Sequence, residues 1–232
     1  MILIKFSYNK LINSKVHLLL SSRRWNNYVK SFVLMKYRNF YFINLFKTIF
    51  NLKLTLFFIT TLTYNRGNLV LIEKREEYFF FLKRLALYTK QKFIGKGWLC
   101  GSFTNFSEFR KNWKEYRRND LLIQNGYYNL TRLPEVALCF SLYENSNAIQ
   151  ELKVLGIPTI TLISSDLNPA GISFIVPSND VSESSVLLFM QIFRYSILKG
   201  YKIEKIKFYK LLRKFCYLVF IKKLIVNKTH NY

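Results

Sequence analysis

Short apolar segments alternate with helix-length segments between residues 68 and 200. Three apolar segments are rich in the Val, Ile, Leu and Thr typical of buried strands: 68–72, 136–142 and 157–163. Helix-length patterns occupy 74–90, 145–155 and the stretch from a cap at Asn179 or Asp180 to Gly200. Strands that are apolar throughout and alternate with helices predict a mostly parallel sheet covered on both faces. We therefore expect a doubly wound α/β fold.

The remaining elements are shorter or less regular. A β-prone stretch at 40–45 precedes an apolar segment at 46–64, which we interpret as a buried helix followed by a turn at residues 65–67. A strand at 93–94 leads into a glycine-rich loop at 95–101. A charged segment from Ser107 to about Asn119 predicts an exposed helix, and 121–132 a connector. A turn at 168–171 precedes a strand at 173–176.

The charge of the chain is large and unevenly distributed. Against 36 Lys and Arg stand 13 Asp and Glu, a formal net charge of +23. The excess lies in 1–132 and 191–232, whereas 133–190 carries one Lys and six acidic residues. A folded chain with so much positive charge needs a polyanionic partner, either nucleic acid or an anionic membrane.

Enzymatic and metal chemistry find little support. The spacing of Gly95, Gly97 and Gly101 does not match a dinucleotide or phosphate loop, and no GxxxxGK[ST] sequence occurs. His17 and His230 are the only imidazoles, and neither adjoins a nucleophile signature. The scattered Cys and His residues lack the spacing of metal ligands. We expect no catalytic residues, no metal and no cofactor.

Cysteine usage and hydropathy bear on the compartment. The three cysteines, Cys100, Cys139 and Cys216, are far apart and odd in number, which favours a reducing environment. The longest apolar stretch, 54–62, falls well short of the roughly 20 residues that cross a bilayer. We therefore predict no integral membrane span. Scarce Ala and Gly with abundant Phe, Tyr, Ile, Asn and Lys suggest an AT-rich organelle genome.

Basic residues interleaved with aromatic and polar ones are the remaining candidates for a site, since they neutralise phosphates and stack on exposed bases. The predicted RNA-binding residues are Arg23, Arg24, Trp25, Lys30, Lys36, Arg38, Lys74, Arg75, Lys96, Thr104 and Asn105. Each basic cluster taken alone is more often a solvated face. Trp25 and Trp98 could equally pack a core, and Asn44, Thr104 and Asn105 could bond backbone or phosphate.

Sequence blocks such as Phe42-Ile43-Asn44-Leu45, Gly97-Trp98-Leu99-Cys100-Gly101 and Leu155-Gly156-Ile157-Pro158 occur over roughly residues 16–200. Together they resemble the ribosomal protein S2 family, in the order found in its bacterial members. FINL with Lys47-Thr48 resembles IINLxKT, and GWLCG with Thr104-Asn105-Phe106 resembles RWLGG…LTNW. Further blocks are similar to the family's LPD, AIxEAxxLGIP and DxNxDPxGVDFVIPGND sequences, beginning at Leu133, Ala148 and Asp166. Val16-His17 and Arg24-Trp25-Asn26 resemble its opening VHFGH segment and Trp-Asn pair.

The resemblance implies a flavodoxin-like fold without flavin and a structural, non-catalytic role in the small ribosomal subunit, between head and body. The implied partners are small-subunit rRNA and neighbouring ribosomal proteins, with mRNA contacted only indirectly. The chain departs from the family pattern by a much shortened helical insertion at about 107–132. Glu73-Lys74-Arg75 also replaces a Gly-Thr-Lys-Arg sequence, so only Lys74 and Arg75 carry over from that site.

These observations predict a basic N-terminal segment at 1–39, an α/β core at 40–200 and a basic, aromatic C-terminal extension at 201–232. Our leading hypothesis is a structural protein of the mitochondrial small ribosomal subunit, located in the matrix and encoded in the organelle. The alternative is a basic protein on the surface of the organelle inner membrane, which the basic and aromatic residues of 201–232 would suit. A third is an α/β enzyme that acts on nucleotides.

Overall fold

A computed structural model of the chain describes residues 8–20, 27–111, 125–127, 130–164 and 168–229. Its helices are α1 Tyr8–Asn13, α2 Leu45–Tyr64, α3 Phe79–Thr89, α4 Phe106–Lys111, α5 Ser146–Val154 and α6 Glu183–Thr229. Its strands are β1 Leu18–Leu20, β2 Val33–Tyr37, β3 Phe40–Ile43, β4 Leu69–Glu73, β5 Lys92–Gly95, β6 Val136–Cys139, β7 Thr159–Ile163 and β8 Phe174–Pro177. Short 3-10 helices occupy Asn27–Phe32 and Glu76–Tyr78.

Five strands form the central sheet in the order β5-β4-β6-β7-β8, with every pair parallel. Counted within the sheet this order is 2-1-3-4-5, the flavodoxin-like arrangement of doubly wound folds. All residues of β4, β6 and β7 are buried. The prediction of an α/β fold with a parallel sheet is therefore confirmed.

Helices and loops cover both faces of this sheet. On one face α2, α3 and α6 pack Leu52, Leu82 and Phe193 against alternate strand residues such as Leu71 and Leu138. The opposite face holds α5, the 3-10 helix Asn27–Phe32 and the loop after β5. Because side chains of a strand alternate between faces, each apolar strand supplies both cores.

Helix α2 is apolar on both of its sides. Its inner side is buried on the sheet, whereas Phe46, Phe50, Leu54 and Phe57 are exposed on its outer side. Among the described helices it alone has the length and hydropathy to cross a membrane, with about a third of it buried in the fold. The core helix of a soluble protein meets the same criterion, so this finding is weak support for a span. The prediction of a buried helix holds for the inner side alone.

The predicted helix end at Gly200 was wrong, because α6 continues without interruption to Thr229. Gly200 lies where α6 crosses α2. A Cβ at this position would come within 1.8 Å of the Thr63 hydroxyl oxygen. The hydroxyls of Ser196 and Thr60 are 2.8 Å apart in the same crossing. Close helix packing, rather than a helix end, is therefore what requires glycine here.

A second, antiparallel sheet of order β1-β3-β2 precedes the main one. It lies next to the carboxyl end of β8, since the Asn179 amide donates to the Val16 carbonyl at 3.1 Å. The Thr48 hydroxyl donates to the Pro177 carbonyl at 2.8 Å at the same end. The boundary predicted between the N-terminal segment and the core, at residues 39 and 40, falls within the β2–β3 hairpin.

Two further sequence expectations met different outcomes. Asn179 forms a turn before α6, because its side-chain oxygen accepts hydrogen bonds from the amides of Val181 and Ser182 at 3.0 Å. It is not the expected helix cap, since α6 begins at Glu183 and the Ser182 carbonyl accepts from the Ser185 and Val186 amides at 3.1 Å. Asp180 is buried and faces inward, so its expected alternative role as the helix cap was wrong. Of the exposed helix expected at 107–119, the structure contains α4, and residues 112–119 lie outside its described part.

Candidate nucleic-acid interface

The carboxyl ends of the five parallel strands meet at one edge of the central sheet, which we call the carboxyl edge. Lys74 and Arg75 follow β4 at this edge, and Lys96 follows β5. In folds of this class, ligands bind where the strand order reverses, which here is between β4 and β6. Three of the basic residues singled out in the sequence therefore share the edge where doubly wound folds place their sites.

Arg75 is bound within the fold. Its Nε and Nη2 atoms donate to the two carboxylate oxygens of Glu73, both at 2.9 Å, and its Nη1 donates to the Asp180 carbonyl at 2.7 Å. The guanidinium also lies 4.4 Å from the centre of the Tyr78 ring. Burial acts to lower the pKa of Arg75, but the hydrogen bonds and charge of Glu73 outweigh it and raise that pKa. The geometry gives Arg75 a role in holding the carboxyl edge together.

The buried carboxylate of Asp180 completes this edge. The Ser141 hydroxyl donates to Asp180 Oδ2 at 2.8 Å, which joins the ends of β6 and β8. Burial raises the pKa of Asp180, although Ser141, Ser164 and Arg75 oppose that rise. A network of internal charges and hydroxyls therefore occupies the interior of the carboxyl edge.

Lys74 and Lys96 have different surroundings from Arg75. Lys74 is exposed, and its ammonium forms no ion pair with any residue in the described part of the chain. Lys96 is half-buried and lies over the ring of Phe79, 4.8 Å from its centre. Both ammonium groups remain available to a phosphate, because neither forms an ion pair with a carboxylate among the residues that the structure describes.

The loop from Gly97 to Asn105 is organised by one carboxylate that the sequence did not single out. Glu151, on α5, accepts hydrogen bonds from the indole of Trp98 at 2.8 Å and from the amides of Gly101 and Phe103 at 2.7 and 3.1 Å. Burial acts to raise its pKa, but these bonds stabilise the ionised form, and the pKa of Glu151 is lowered. Glu151 therefore positions the whole loop on α5.

Thr104 and Asn105 lie exposed at the end of this loop. The Thr104 amide and hydroxyl donate to Glu151 at 3.3 and 3.5 Å, so this side chain takes part in the loop's contact with α5 although the residue is exposed. The Asn105 carbonyl accepts from the Phe109 amide at 2.9 Å and so starts α4. Asn44, for which two roles were open, caps α2 through its side-chain oxygen, which accepts from the Phe46 amide at 3.0 Å.

The β2–β3 hairpin presents a second basic and aromatic surface. The Lys36 ammonium lies 5.1 Å from the centre of the Tyr41 ring, and the Arg38 guanidinium 5.4 Å from that of Tyr37. Lys30 is exposed on the preceding 3-10 helix. Lys36 and Arg38 project from the N-terminal sheet and Lys30 from the 3-10 helix before it, rather than from the carboxyl edge itself. The structure attaches this sheet to that edge but does not bring Lys36 and Arg38 into contact with Lys74.

Arg23, Arg24 and Trp25 lie outside the described residues. Sequence reasoning missed Glu73, Glu151 and Asp180 as organising carboxylates. For Glu73 a signal existed, since an acid two residues before Arg75 at the end of a buried strand places both side chains on one face. Glu151 and Asp180 offered no such signal, because their partners are distant in the sequence.

The described part of the chain contains no group of three or more His, Cys, Asp and Glu side chains that could hold a metal ion. Cys139 is fully buried in β6, and burial raises the pKa of its thiol. A raised thiol pKa leaves little thiolate for nucleophilic chemistry. Fold and site together define a flavodoxin-like α/β protein whose surface is suited to binding a polyanion.

Comparison with known proteins identifies the family. The model of the family "Ribosomal protein S2" matches residues 11–130 and 122–200, and the chain belongs to this family. Its members are structural components of ribosomes, and this chain is a structural protein rather than an enzyme.

Three relatives illustrate the similarity. The small ribosomal subunit protein uS2c of Euglena longa is 27% identical over 214 residues, which cover 82% of this chain and 91% of the relative. The uS2 protein of Buchnera aphidicola subsp. Baizongia pistaciae is 26% identical, with 86% and 99% covered. That of Bifidobacterium animalis subsp. lactis is 24% identical, with 77% and 68% covered.

Proposed function

We propose that this protein is a structural constituent of the small subunit of the mitochondrial ribosome and binds small-subunit rRNA. Membership of the ribosomal protein S2 family is the observation that carries the proposal. The charge supports it, because +23 on a folded chain is neutralised best by a polyphosphate. The composition expected of an AT-rich organelle genome supports the mitochondrial location.

The proposed RNA surface combines Lys36 and Arg38 of the β2–β3 hairpin and Lys30 of the preceding 3-10 helix with Lys74 and Lys96 of the carboxyl edge. Their cationic groups are exposed or stacked on rings, which is the arrangement that suits contact with phosphates and unpaired bases. Thr104 and Asn105 add two exposed polar residues at the end of the loop that follows β5 and Lys96. Arg75 supports this surface from within through its bonds to Glu73. Arg23, Arg24 and Trp25 join the proposed surface on the sequence argument.

The position between head and body of the subunit, with neighbouring ribosomal proteins as partners and mRNA contacted only indirectly, is part of the same proposal. So is the division into an N-terminal segment, an α/β core and an extension at 201–232. Helix α6 supports the last element, because it continues beyond the core as a single helix of 47 residues in all.

Sedimentation tests the proposal directly. Detergent-solubilised organelles are run through a density gradient after a high-salt wash, and this chain is followed against small-subunit rRNA with and without magnesium. Comigration with the small subunit under both conditions is the expected result. Recovery at the top of the gradient or with membranes would contradict it.

A matched pair of variants tests the RNA surface. Lys30, Lys36 and Lys96 changed together to Glu should prevent binding to a transcript of the organelle's small-subunit rRNA. The control variant changes three other exposed lysines to Glu. They lie on α2, α3 and α6, the helices that cover one face of the central sheet: Lys53, Lys83 and Lys202. Because both triples change the charge equally, equal loss of binding by the two would refute a localised RNA surface.

A membrane-surface role is the second candidate, and the outer side of α2 favours it. Phe46, Phe50 and Phe57 are exposed there beside Lys47 and Lys53, as in helices that lie on an anionic bilayer. Flotation of the full chain with anionic liposomes, unaffected by competing rRNA, would favour this role over the ribosomal one.

A further inference from the structure

A crevice opens at the carboxyl edge where the strand order reverses. Its volume is about 320 Å³, and it is lined by Lys74, Trp98, Tyr143, Glu144, Ser146 and Asn147. This size lies at the lower end of the range for small-ligand pockets, about 300–1,000 Å³. The crevice has room for a single nucleotide but is small for a dinucleotide.

Hydrogen bonds hold the three walls of the crevice together. The Lys74 amide, at the end of β4, donates to the side-chain oxygen of Asn145 at 3.1 Å. The Asn145 side-chain nitrogen in turn donates to the Ser141 carbonyl, in the segment after β6, at 2.9 Å. Trp98, in the loop after β5, is joined to α5 through Glu151. The crevice is thus formed before any ligand binds, so binding costs little ordering.

The lining offers three different contacts. Trp98 is half-buried, with its ring held edge-on against Phe103 at 4.8 Å between centres, and Tyr143 is 55% exposed. Aromatic rings of this kind bind unpaired bases by stacking. Lys74 supplies an unneutralised cation for a phosphate. Glu144 supplies an acceptor for a ribose hydroxyl or a base amino group and would repel a second phosphate.

We propose that this crevice binds one unpaired ribonucleotide of the small-subunit rRNA. Lys74 contacts its phosphate, Trp98 or Tyr143 stacks on its base, and Glu144 accepts from its ribose hydroxyl or amino group. The inference rests on the proposed rRNA binding and adds a specific subsite to it. A duplex cannot enter, because its bases are stacked and paired. The crevice therefore selects a loop, a bulge or an end.

The test uses the full-length chain and a transcript of the small-subunit rRNA from the same organelle. Tyr143→Ser and Lys74→Gln are compared with Tyr195→Ser and Lys53→Gln. Tyr143 and Tyr195 are each 55% exposed, which makes the tyrosine pair closely matched. The variants spare Trp98, whose loss would disturb the packing around Phe103 and Tyr127.

Loss of the stacking contact should weaken rRNA binding at least about fivefold in Tyr143→Ser, with less than a twofold change in either control. Lys74→Gln should weaken binding and lower its salt dependence. Ultraviolet cross-linking followed by mass spectrometry should attach an unpaired nucleotide to the peptide containing Trp98 or Tyr143.

Unchanged affinity in both crevice variants, with no cross-link there, would overturn the subsite while the wild-type chain still bound rRNA. Failure of the wild-type chain itself to bind would instead refute the proposed function. Free adenosine and cytidine 5′-monophosphates are titrated separately. If a free nucleotide saturates the crevice and rRNA still binds equally well, the crevice binds a free nucleotide and not one that belongs to the rRNA.

Discussion

The guanidinium of Arg75 and the carboxylate of Glu73 form two parallel hydrogen bonds of 2.9 Å, and the Glu73 side chain is fully buried. The pair joins the end of β4 to the Asp180 carbonyl beyond β8. Arg75, which the sequence analysis predicted to bind RNA, therefore forms its hydrogen bonds within the protein. Lys74, between the two partners, is the side chain that remains outside.

Removing Arg75 should destabilise the fold. Arg75→Met leaves the Glu73 charge buried without a partner, which costs about 3–5 kcal/mol of unfolding free energy. Urea denaturation measures this loss, and Lys74→Gln serves as the adjacent exposed control with a change below about 0.5 kcal/mol. The double variant with Glu73→Gln should recover part of the loss, and a double variant no more stable than Arg75→Met would contradict the pairing.

Gly200→Ala should destabilise the protein although alanine favours helices more than glycine does. The added Cβ would lie 1.8 Å from the Thr63 hydroxyl oxygen and 2.6 Å from the Thr60 carbonyl oxygen. Overpacking of this kind costs about 1–3 kcal/mol, measurable by thermal or urea unfolding. Thr63→Ala should lessen the cost in the double variant because the hydroxyl is gone. If Gly200→Ala were as stable as the wild type or more stable, α2 and α6 could move apart at little cost in free energy.

The loop held by Glu151 should loosen in acid. Hydrogen bonds make the pKa of Glu151 lower in the folded protein than its ordinary 4.5. The ionised carboxylate therefore contributes stability above that value, and the contribution is lost as the pH falls through the lower, folded-state pKa. Unfolding free energy measured between pH 6 and pH 3 should fall less steeply in Glu151→Gln.

Hydrogen exchange at neutral pH provides a local measure of the same contact. The amides of Gly101 and Phe103 should exchange faster in Glu151→Gln, because a neutral amide is a weaker acceptor than a carboxylate. Glu108→Gln is the control, since its partner Lys111 is a surface residue. Equal protection of both amides in the wild type and Glu151→Gln would argue against the organising role.

Binding to rRNA should depend steeply on salt. Each phosphate contact contributes about 0.7–0.9 to the slope of log affinity against log salt concentration. Lys36→Gln and Lys96→Gln should each lower that slope by roughly this amount, whereas Lys83→Gln should leave it unchanged. Filter binding between 50 and 200 mM salt measures all three. Identical slopes in all variants would remove Lys36 and Lys96 from the RNA surface.

The outer side of α2 should be replaceable without loss of the fold. Phe50 and Phe57 are 63% and 68% exposed, so their change to Ser should alter stability by no more than about 0.5 kcal/mol each. Sedimentation should show less self-association, because an exposed apolar patch is removed. Phe58→Ser provides the contrast, because Phe58 stacks on Phe174 with 4.5 Å between ring centres. This change should lower the unfolding free energy much more. Comparable destabilisation by all three would mean that this side is covered.

Much of the fold follows from local sequence. Buried strands such as 68–72 and 157–163 are recognisable because parallel strands covered on both faces must be apolar at every position. Alternation of strands with helices then restricts the topology to right-handed crossovers in a doubly wound sheet. The family resemblance came from the same segments. Local composition and spacing therefore determined the fold class and the presence of a basic surface, and the resemblance of particular motifs indicated the family.

Only the tertiary structure decided which residues of that surface face outward. Lys74 and Arg75 are neighbours in a charged segment, yet one is exposed and the other is paired inside with Glu73 and Asp180. Gly200 resembles a helix end but lies in a helix crossing with Thr63, 137 residues away in the chain. The contacts of Arg75 with Asp180 and of Gly200 with Thr63 join residues far apart in sequence, so local patterns do not predict them. The Glu73–Arg75 pair could have been predicted from its spacing, but the burial of that pair depends on the whole fold.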